Sequence, residues 1–293
     1  MNTADTREVL LHSLTQQQLE AFATAPAHAL LLLGPRGSGK GTLAVQVAET
    51  VLQLSAGQLA NHPYALLIAP ETDGKAIGIE AVRQLEQFLA LKVPGQQTGD
   101  YNRAVIIENA QLLTLEAQNA LLKLLEEPPD GTLLILSADH AQSLLPTIRS
   151  RAQAITVNRL EQQAVEQHFM EQGFDRAAVA QAYAVSGGLP GLMHALLHDD
   201  EHPLRLATER ARQLLSQTAY ERHTMVDELA KQRSLALDVT TILQQMAHLS
   251  LQTATGPAAK KWQAVLTAAY RANEALTANA QPKLVLTRLM LSL

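Results

Sequence analysis

The sequence of 293 residues contains no cysteine, and none of its aliphatic runs is longer than five residues. The absence of cysteine excludes a disulfide framework, a cysteine-ligated zinc site and a thiol nucleophile. It suits the reducing cytoplasm, where we expect the protein to work. The short aliphatic runs exclude a membrane-spanning helix, which needs about 18 consecutive apolar residues. Residues 1–10 carry acids and no apolar segment, so we expect no secretory signal.

Basic charge is also scarce for a chain that would hold nucleic acid on its own surface. The formal net charge is −5, and 47% of the residues are hydrophobic against 17% charged, a balance typical of a folded globular protein. Residues 1–158 contain 10 basic and 15 acidic groups, whereas residues 159–293 contain 13 of each. A protein that binds DNA mainly through its own surface is normally basic. We therefore expect this chain to contact other proteins first.

Strand-like and helix-like segments alternate over the first half of the chain. Amphipathic helices are predicted around residues 43–52, 79–89 and 117–125. Between them lie short apolar runs that read as strands buried on both faces, namely Ala29–Leu33, Tyr64–Ala69, Arg103–Ile107 and Thr132–Leu136. This alternation predicts an α/β fold, with a parallel sheet covered by helices on both faces.

Strand signals stop at about residue 158. Every apolar segment beyond it has helical spacing, so the rest of the chain is predicted to be all-α. The polar stretch 198–203 indicates a linker. The last segment, Leu284–Leu293, is apolar around a wide arc, which predicts a helix that is buried centrally or covered by another subunit. The chain length predicts two domains, with three possible, and the change at about residue 158 and the polar stretch 198–203 mark candidate boundaries.

A glycine-rich loop lies between the first predicted strand and the next helix, which is the context of a phosphate-binding P-loop. Its glycines let backbone N–H groups turn toward a phosphate, and the start of the helix adds positive charge. Lys40 would neutralise the outer phosphates of a nucleotide, whereas a glycine turn that binds nothing is the alternative. The candidate nucleotide-binding residues of this loop are Gly34, Gly37, Ser38, Gly39, Lys40, Gly41 and Thr42.

Two catalytic positions of P-loop ATPases are altered. The residue after the lysine, normally a serine or threonine that binds magnesium, is Gly41. The third predicted strand ends in Glu108 and Asn109, where such ATPases carry an aspartate for magnesium and a glutamate that polarises water. Glu108 could hold a metal, but the amide of Asn109 is neutral and is not a general base. We expect ATP as a candidate ligand, an incomplete magnesium site, and weak or absent ATPase activity.

A longer motif follows these positions. Leu113 and Thr114 precede the run Ala117–Pro129, whose sequence is AQNALLKLLEEPP. The motif closely resembles the clamp-loader subunits of bacterial DNA polymerase III, a branch of the AAA+ proteins. Ser137 stands where this family has its sensor-1 residue, which the resemblance adds to the predicted nucleotide site.

The segment Leu144–Ala152 is similar to the Ser-Arg-Cys motif of the same family, with Ala152 in place of the cysteine. In the family the arginine of this motif reaches into the ATP site of the neighbouring subunit. The resemblance therefore implies that Arg151 is an arginine finger that acts in trans.

The resemblance extends over nearly the whole chain. It implies an AAA+ P-loop domain over residues 1–158, a small helical lid over 159–202 and a helical oligomerisation collar over 203–293. Residues 51–63 lack the four-cysteine zinc module common in this family, so we expect no zinc. Gly191 takes the place of the sensor-2 arginine of motor subunits. The combination resembles the delta-prime subunit rather than the gamma/tau motor.

A delta-prime-like subunit is implied to support DNA replication within a hetero-oligomer. Its partners would be the gamma/tau and delta subunits and, through the complex, the sliding clamp and primer-template DNA, with no membrane. Three rival functions stay open. The chain could be a gamma/tau-type motor that hydrolyses ATP itself, or a general AAA-type helicase or remodeller. It could also be a small-metabolite kinase, because Gly39–Thr42 resembles the P-loop ending of adenylate kinases.

Overall fold

The chain divides into two units, residues 1–158 and 159–293, in a computed structural model. The structure describes residues 10–70, 75–91, 93, 101–198, 203–278 and 280–293. Nearly all of the segment considered for a secretory signal, and residues 199–202 of the predicted linker, lie outside the described residues. Within the described residues, no helix is both long enough and apolar enough to cross a membrane.

The first unit is built on five strands: β1 (Ala29–Leu33), β2 (Ala65–Ile68), β3 (Arg103–Ile107), β4 (Thr132–Ala138) and β5 (Gln153–Thr156). They form one sheet in the order β2-β3-β4-β1-β5, and every pair is parallel. The inner strands β1, β3 and β4 are almost wholly buried, which is why they read as continuous apolar runs.

Helices cover both faces of this sheet. They are α1 (Ser13–Thr24), α2 (Lys40–Val51), α3 (Ile79–Leu89), α4 (Leu115–Glu126) and the short α5 (Pro146–Arg149). Successive side chains of a strand point to opposite faces. Leu30 of β1 therefore joins the cluster that contains Leu43 of α2, whereas Leu31 joins the cluster that contains Leu121 of α4. The predicted parallel sheet between two helical layers is confirmed.

The motif run Ala117–Pro129 forms most of α4 and its exit. The helix begins at Leu115, because the hydroxyl oxygen of Thr114 accepts a hydrogen bond from the backbone N–H of Ala117, at 3.2 Å. It ends at Glu126, before two prolines that cannot continue a helix. The last residue of α4 is therefore a carboxylate at the surface.

All the regular elements among the described residues of the second unit are helices. It contains α6 (Gln162–Glu171), α7 (Arg176–Ser186), α8 (Pro190–His198), α9 (Pro203–Ser216), α10 (Ala219–Thr224), α11 (Val226–Lys231), α12 (Arg233–Thr253), α13 (Gly256–Thr277) and α14 (Pro282–Ser292). One hydrophobic core joins Leu192 of α8 to residues of α9, α11, α12, α13 and α14. The boundary predicted at residues 202 and 203 falls next to residues outside the description, so the division into lid and collar stays a prediction.

The terminal helix α14 buries only part of its apolar arc. Leu286, Leu289 and Met290 lie in the core of the second unit. By contrast, Leu284 is 66% exposed and Leu291 is 78% exposed. Side chains of this size at such exposure are available to a partner surface.

A small aromatic cluster closes the end of α8. The ring of His198 stacks on that of His194 with centroids 4.3 Å apart, and it meets the ring of Phe174 edge-on at 4.8 Å. Burial, followed by the neighbouring charge of His194, lowers the pKa of His198 below its ordinary value of 6.5. In the part of the chain that is described, no group of three or more potential ligands could hold a metal ion.

Candidate nucleotide site and Arg151

The glycine-rich loop leaves the carboxyl end of β1 and is anchored to the neighbouring strand. The N–H of Gly34 donates to the carbonyl of Ala138 at 3.2 Å. Gly37 and Gly39 have φ of 88° and 87°, a left-handed conformation that favours glycine, and α2 begins directly after Gly39. The first N–H groups of a helix have no acceptor one turn earlier, so they are available to a phosphate. The backbone of the loop fits a phosphate.

Ser38 is a residue of this loop. Its side chain is fully buried, and its hydroxyl has no hydrogen-bond partner among the described residues. A Cβ atom at position 34 would lie 2.9 Å from this hydroxyl oxygen, so the glycine at that position permits the close packing. An unsatisfied buried hydroxyl at the loop is a free polar group that a bound phosphate could satisfy.

The ammonium group of Lys40 is occupied by the chain itself. Lys40 is only 7% exposed. Its Nζ donates to the carbonyls of Gly34 and Pro35, the latter at 3.2 Å, and to Oδ1 of Asp139 at 3.0 Å. Burial lowers the pKa of Lys40, and the charge of Asp139 opposes that effect. The loop lysine is therefore held against the loop by an ion pair.

Asp139 is the site residue that sequence reasoning missed. It follows β4, which extends two residues beyond its predicted end and so carries Ser137 and Ala138 inside the strand. Its second carboxylate oxygen accepts a hydrogen bond from Nε2 of Gln111 at 3.2 Å. The same amide nitrogen reaches Oδ1 of Asn109 at 3.4 Å. The sequence signal that could have identified Asp139 is its place directly after β4, the strand next to the P-loop strand β1.

Asn109 takes a left-handed backbone conformation, with φ of 53°. Its N–H donates to the hydroxyl oxygen of Ser137 at 3.2 Å, which joins the ends of β3 and β4. The predicted sensor-1 position thus contacts the backbone of the residue that replaces the catalytic base. The neutral amide of Asn109 gives the site no group that could accept a proton from water.

Glu108 points at the start of α2. A Cβ atom at position 41 would lie 2.7 Å from Oε1 of Glu108, so a serine or threonine at this position would require the flexible Glu108 side chain to move. Burial raises the pKa of Glu108, and the charge of Lys40 acts in the opposite direction. Thr42, one residue on, is exposed. The chain supplies a carboxylate but not the adjacent hydroxyl of the usual magnesium pair, so the residues fit phosphate better than magnesium.

Arg151 lies apart from this cluster. Its side chain is 34% exposed, and its guanidinium forms an ion pair with Glu126 at the end of α4, with 2.6 Å between Nη2 and Oε1. It also donates to the carbonyl of Thr147 at 3.0 Å and to the hydroxyl of Ser150 at 3.3 Å. Among the residues the structure describes, no hydrogen bond or ion pair connects Arg151 with the P-loop. The predicted site residues therefore form two groups, one around Lys40 and one around Arg151.

A family model for "DNA polymerase III, delta subunit" matches residues 11–161, which is more than half of the chain. The DNA polymerase III subunit delta′ of Pseudomonas aeruginosa is 38% identical over 139 residues, covering 43% of this chain and 41% of that protein. Its counterpart in Bacillus subtilis is 32% identical over 161 residues, covering 50% and 46% respectively. The match thus spans less than half the length of these relatives.

A solved structure of a DNA polymerase III gamma subunit-related protein from Thermotoga maritima superposes with a TM-score of 0.53. It is 19% identical and covers 94% of this chain and 97% of that one, which shows a shared fold. The predicted α/β fold, with a parallel sheet and additional helices, is confirmed. From the extent of the family match and the agreement of the delta′ relatives, the chain belongs to the DNA polymerase III, delta subunit family and is delta-prime-like within it.

Proposed function

We propose that this chain is the delta-prime-like subunit of a replicative clamp loader and supports ATP-driven loading of the sliding clamp onto primer-template DNA. It would act in the cytoplasm as part of a hetero-oligomer with gamma/tau and delta subunits. The family match and the delta′ relatives support the assignment. Contacts with the clamp and with DNA would be made through the complex, in keeping with the net charge of −5.

The chain's own nucleotide site favours a subunit that does not hydrolyse ATP. Asn109 offers no base, Gly41 offers no hydroxyl, and the ammonium of Lys40 is already engaged by Asp139. A gamma/tau-type motor needs all three functions in its own chain. A motor function is therefore disfavoured by side chains and contacts rather than by the fold.

The observation that carries the proposal is the placement of Arg151. This guanidinium is partly exposed, and its partners Glu126, Thr147 and Ser150 all lie outside the chain's own P-loop. A cation with that placement suits a phosphate on another subunit. An arginine finger stabilises the charge of the transferring phosphoryl group, an effect of roughly 10³–10⁵ in rate. We propose that Arg151 supplies this effect to a neighbouring ATP site.

The collar region offers a surface for assembly. A groove of about 620 Å³ lies between α13 and α14. Ala268, Ala272 and Leu289 are among its apolar lining residues. Its cationic lining residues, Lys260, Arg271 and Arg288, are exposed and form no ion pair within the described residues. Together with the exposed leucines of α14, this groove supports a role for residues 203–293 in holding neighbouring subunits.

A small-metabolite kinase and a general AAA-type helicase or remodeller have weaker support. Such a kinase has no use for a helical unit of the size of residues 159–293, and a helicase does not account for the delta′ relatives. Co-purification with gamma/tau and delta subunits, followed by native mass spectrometry, tests the clamp-loader assignment. We expect this chain in the intact loader. The clamp-loader assignment fails if a loader assembles and loads clamps without this chain. The finger role of Arg151 fails if Arg151→Ala leaves a reconstituted loader unchanged.

A further inference from the structure

The three acceptors around Lys40 use the full donor capacity of its side chain. A lysine ammonium carries three protons and no acceptor. Here they meet the carbonyl oxygens of Gly34 and Pro35 and a carboxylate oxygen of Asp139. A nucleotide phosphate can therefore contact this ammonium only by displacing one of these groups.

Asp139 differs from the two carbonyls in chemistry. Its carboxylate is an anion, and an ammonium–carboxylate hydrogen bond is of the same charge-assisted type as an ammonium–phosphate bond. Lys40 is shielded from water, with a side-chain exposure of 8%, whereas the side chain of Asp139 is 33% exposed. Screening by solvent and salt is weaker there than at an exposed pair.

Asp139 is itself held in position. Gln111 donates to the carboxylate oxygen that faces away from Lys40, so both oxygens of Asp139 are engaged. Gln111 lies in the short 3₁₀ segment Ala110–Leu112, directly after Asn109. The arrangement links the P-loop lysine, through one carboxylate, to the end of β3.

We propose that Asp139 is an internal counter-ion that occupies the phosphate-binding position of Lys40, so that nucleotide can bind this chain only when the Lys40–Asp139 pair opens. Two effects then oppose nucleotide binding. The ion pair is lost, and the released carboxylate stays close to the polyphosphate, whose charge has the same sign. Weak or absent nucleotide binding at the P-loop would thus be caused by a residue outside the P-loop motif. The inference concerns the chain's own loop and does not depend on Arg151.

The test is equilibrium binding of ATP and ADP to the full chain by isothermal titration, with and without magnesium. Asp139→Asn keeps the shape of the side chain and its oxygen near Lys40 but removes the charge. We expect it to bind ATP about tenfold or more tightly than the unaltered chain, since the pair is better shielded than an exposed one. Asp130→Asn, which removes the same charge from an exposed loop of the same unit, should change nothing.

The control for the proposed route is the same substitution without the lysine. In a Lys40→Ala background, Asp139→Asn should give a clearly smaller gain, because no ion pair is left to break and only the repulsion between the carboxylate and the polyphosphate is removed. Equal affinity of the unaltered chain and Asp139→Asn overturns the proposal, and undetectable binding to both counts as equal. A gain of the same size without Lys40 overturns it as well. Thermal melting of every variant confirms that the comparison is made between folded proteins.

Discussion

Glu108 and Gly41 face each other so closely that a Cβ atom at position 41 would lie 2.7 Å from Oε1 of Glu108. At the position from which P-loop enzymes direct a hydroxyl to magnesium, this chain has a glycine with a carboxylate of its own beside it. Since Asn109 follows Glu108 at the same strand end, the metal ligand and the base are altered together. Restoring one of them leaves the other defect in place.

The first prediction concerns hydrolysis by the isolated chain. We expect ATP turnover far below about 1 s⁻¹, the low end for ordinary enzymes. Asn109→Glu alone should not restore it, because the new carboxylate would act in a site that lacks the magnesium hydroxyl at Gly41. A phosphate-release assay on the purified chain measures both. Turnover near 1 s⁻¹ by the unaltered chain would show that it is a motor.

The second prediction concerns Gln118, which ties α4 to two loops. Its Nε2 donates to the carbonyl of Leu113 at 3.2 Å, and its Oε1 accepts from the N–H of Leu145 at 2.9 Å. Gln118→Ala leaves both backbone groups unpaired in a buried place, which should lower the free energy of unfolding by about 1–3 kcal/mol. Urea denaturation measures the loss. Asn119→Ala, at the exposed neighbouring position, should cost less than about 0.5 kcal/mol.

The third prediction concerns pH. His198 is partly buried beside aromatic rings, and this chiefly lowers its pKa below 6.5 in the folded chain, although the residue remains exposed overall. The unfolded chain has the ordinary value. The unfolded state therefore binds protons first, so the stability is fully present above pH 6.5 and is lost as the pH falls through the folded pKa. His198→Gln, which has no charge to gain, should melt with a weaker pH dependence between pH 7 and 5. Identical pH dependence of the two melting temperatures would contradict this.

The fourth prediction concerns the groove between α13 and α14. Deleting residues 258–293, which form α14 and most of α13, would not test the groove alone. Leu276, Leu286 and Leu289 belong to the core of the second unit, so the deletion would also disturb its folding. Charge reversal at the exposed positions Arg271 and Arg288 spares the core. The double change Arg271→Glu with Arg288→Glu should weaken assembly with the other loader subunits by about tenfold or more, measured by surface plasmon resonance.

The matched control for the groove is Lys261→Glu. Lys261 is exposed on the same helix but does not line the groove. It should leave assembly close to that of the unaltered chain. If the double change leaves the assembly affinity intact, the groove is not an assembly surface.

The sequence predicted the inner strands because burial on both faces forces an uninterrupted apolar run, as in Ala29–Leu33, where prediction and structure coincide. It did not predict β5. Only Ile155 of that strand is buried, because β5 lies at the edge of the sheet, so neither an apolar run nor a regular alternation marks it. The segment is a strand because its backbone pairs with β1, a contact that the local sequence does not reveal.

The candidate site was foreseeable in its parts but not in its contacts. Spacing along the chain identified Lys40 and Glu108, because each follows a recognisable strand, and the family resemblance added Ser137. It could not show that Asp139 neutralises Lys40 across 99 positions of sequence, nor that Glu108 lies against Gly41. Such contacts arise only when the parallel strands are placed side by side, and they decide what the site can bind.

The ion pair between Arg151 and Glu126 offers an alternative role for Arg151, that of an ordinary surface residue, against which the proposed finger role is tested. If this arginine were only an exposed ion-pair partner, its removal would cost at most about 1 kcal/mol and would not affect turnover on another subunit. Arg83, which pairs with Glu80 at the surface of α3, is a matched arginine for that ordinary role. Lysine at position 151 should rescue poorly, because a point charge does not reproduce the planar guanidinium.

The most direct measurement is the DNA-stimulated ATPase rate of a loader reconstituted with this subunit altered and every other subunit unaltered. With Arg151→Ala we expect the complex to assemble and this chain to keep its own fold, while turnover and clamp loading fall by at least about tenfold, a small part of the roughly 10³–10⁵ that an arginine finger supplies. Arg83→Ala should match the unaltered loader. Unchanged turnover and loading with Arg151→Ala would contradict the assignment of Arg151 as a finger acting in trans.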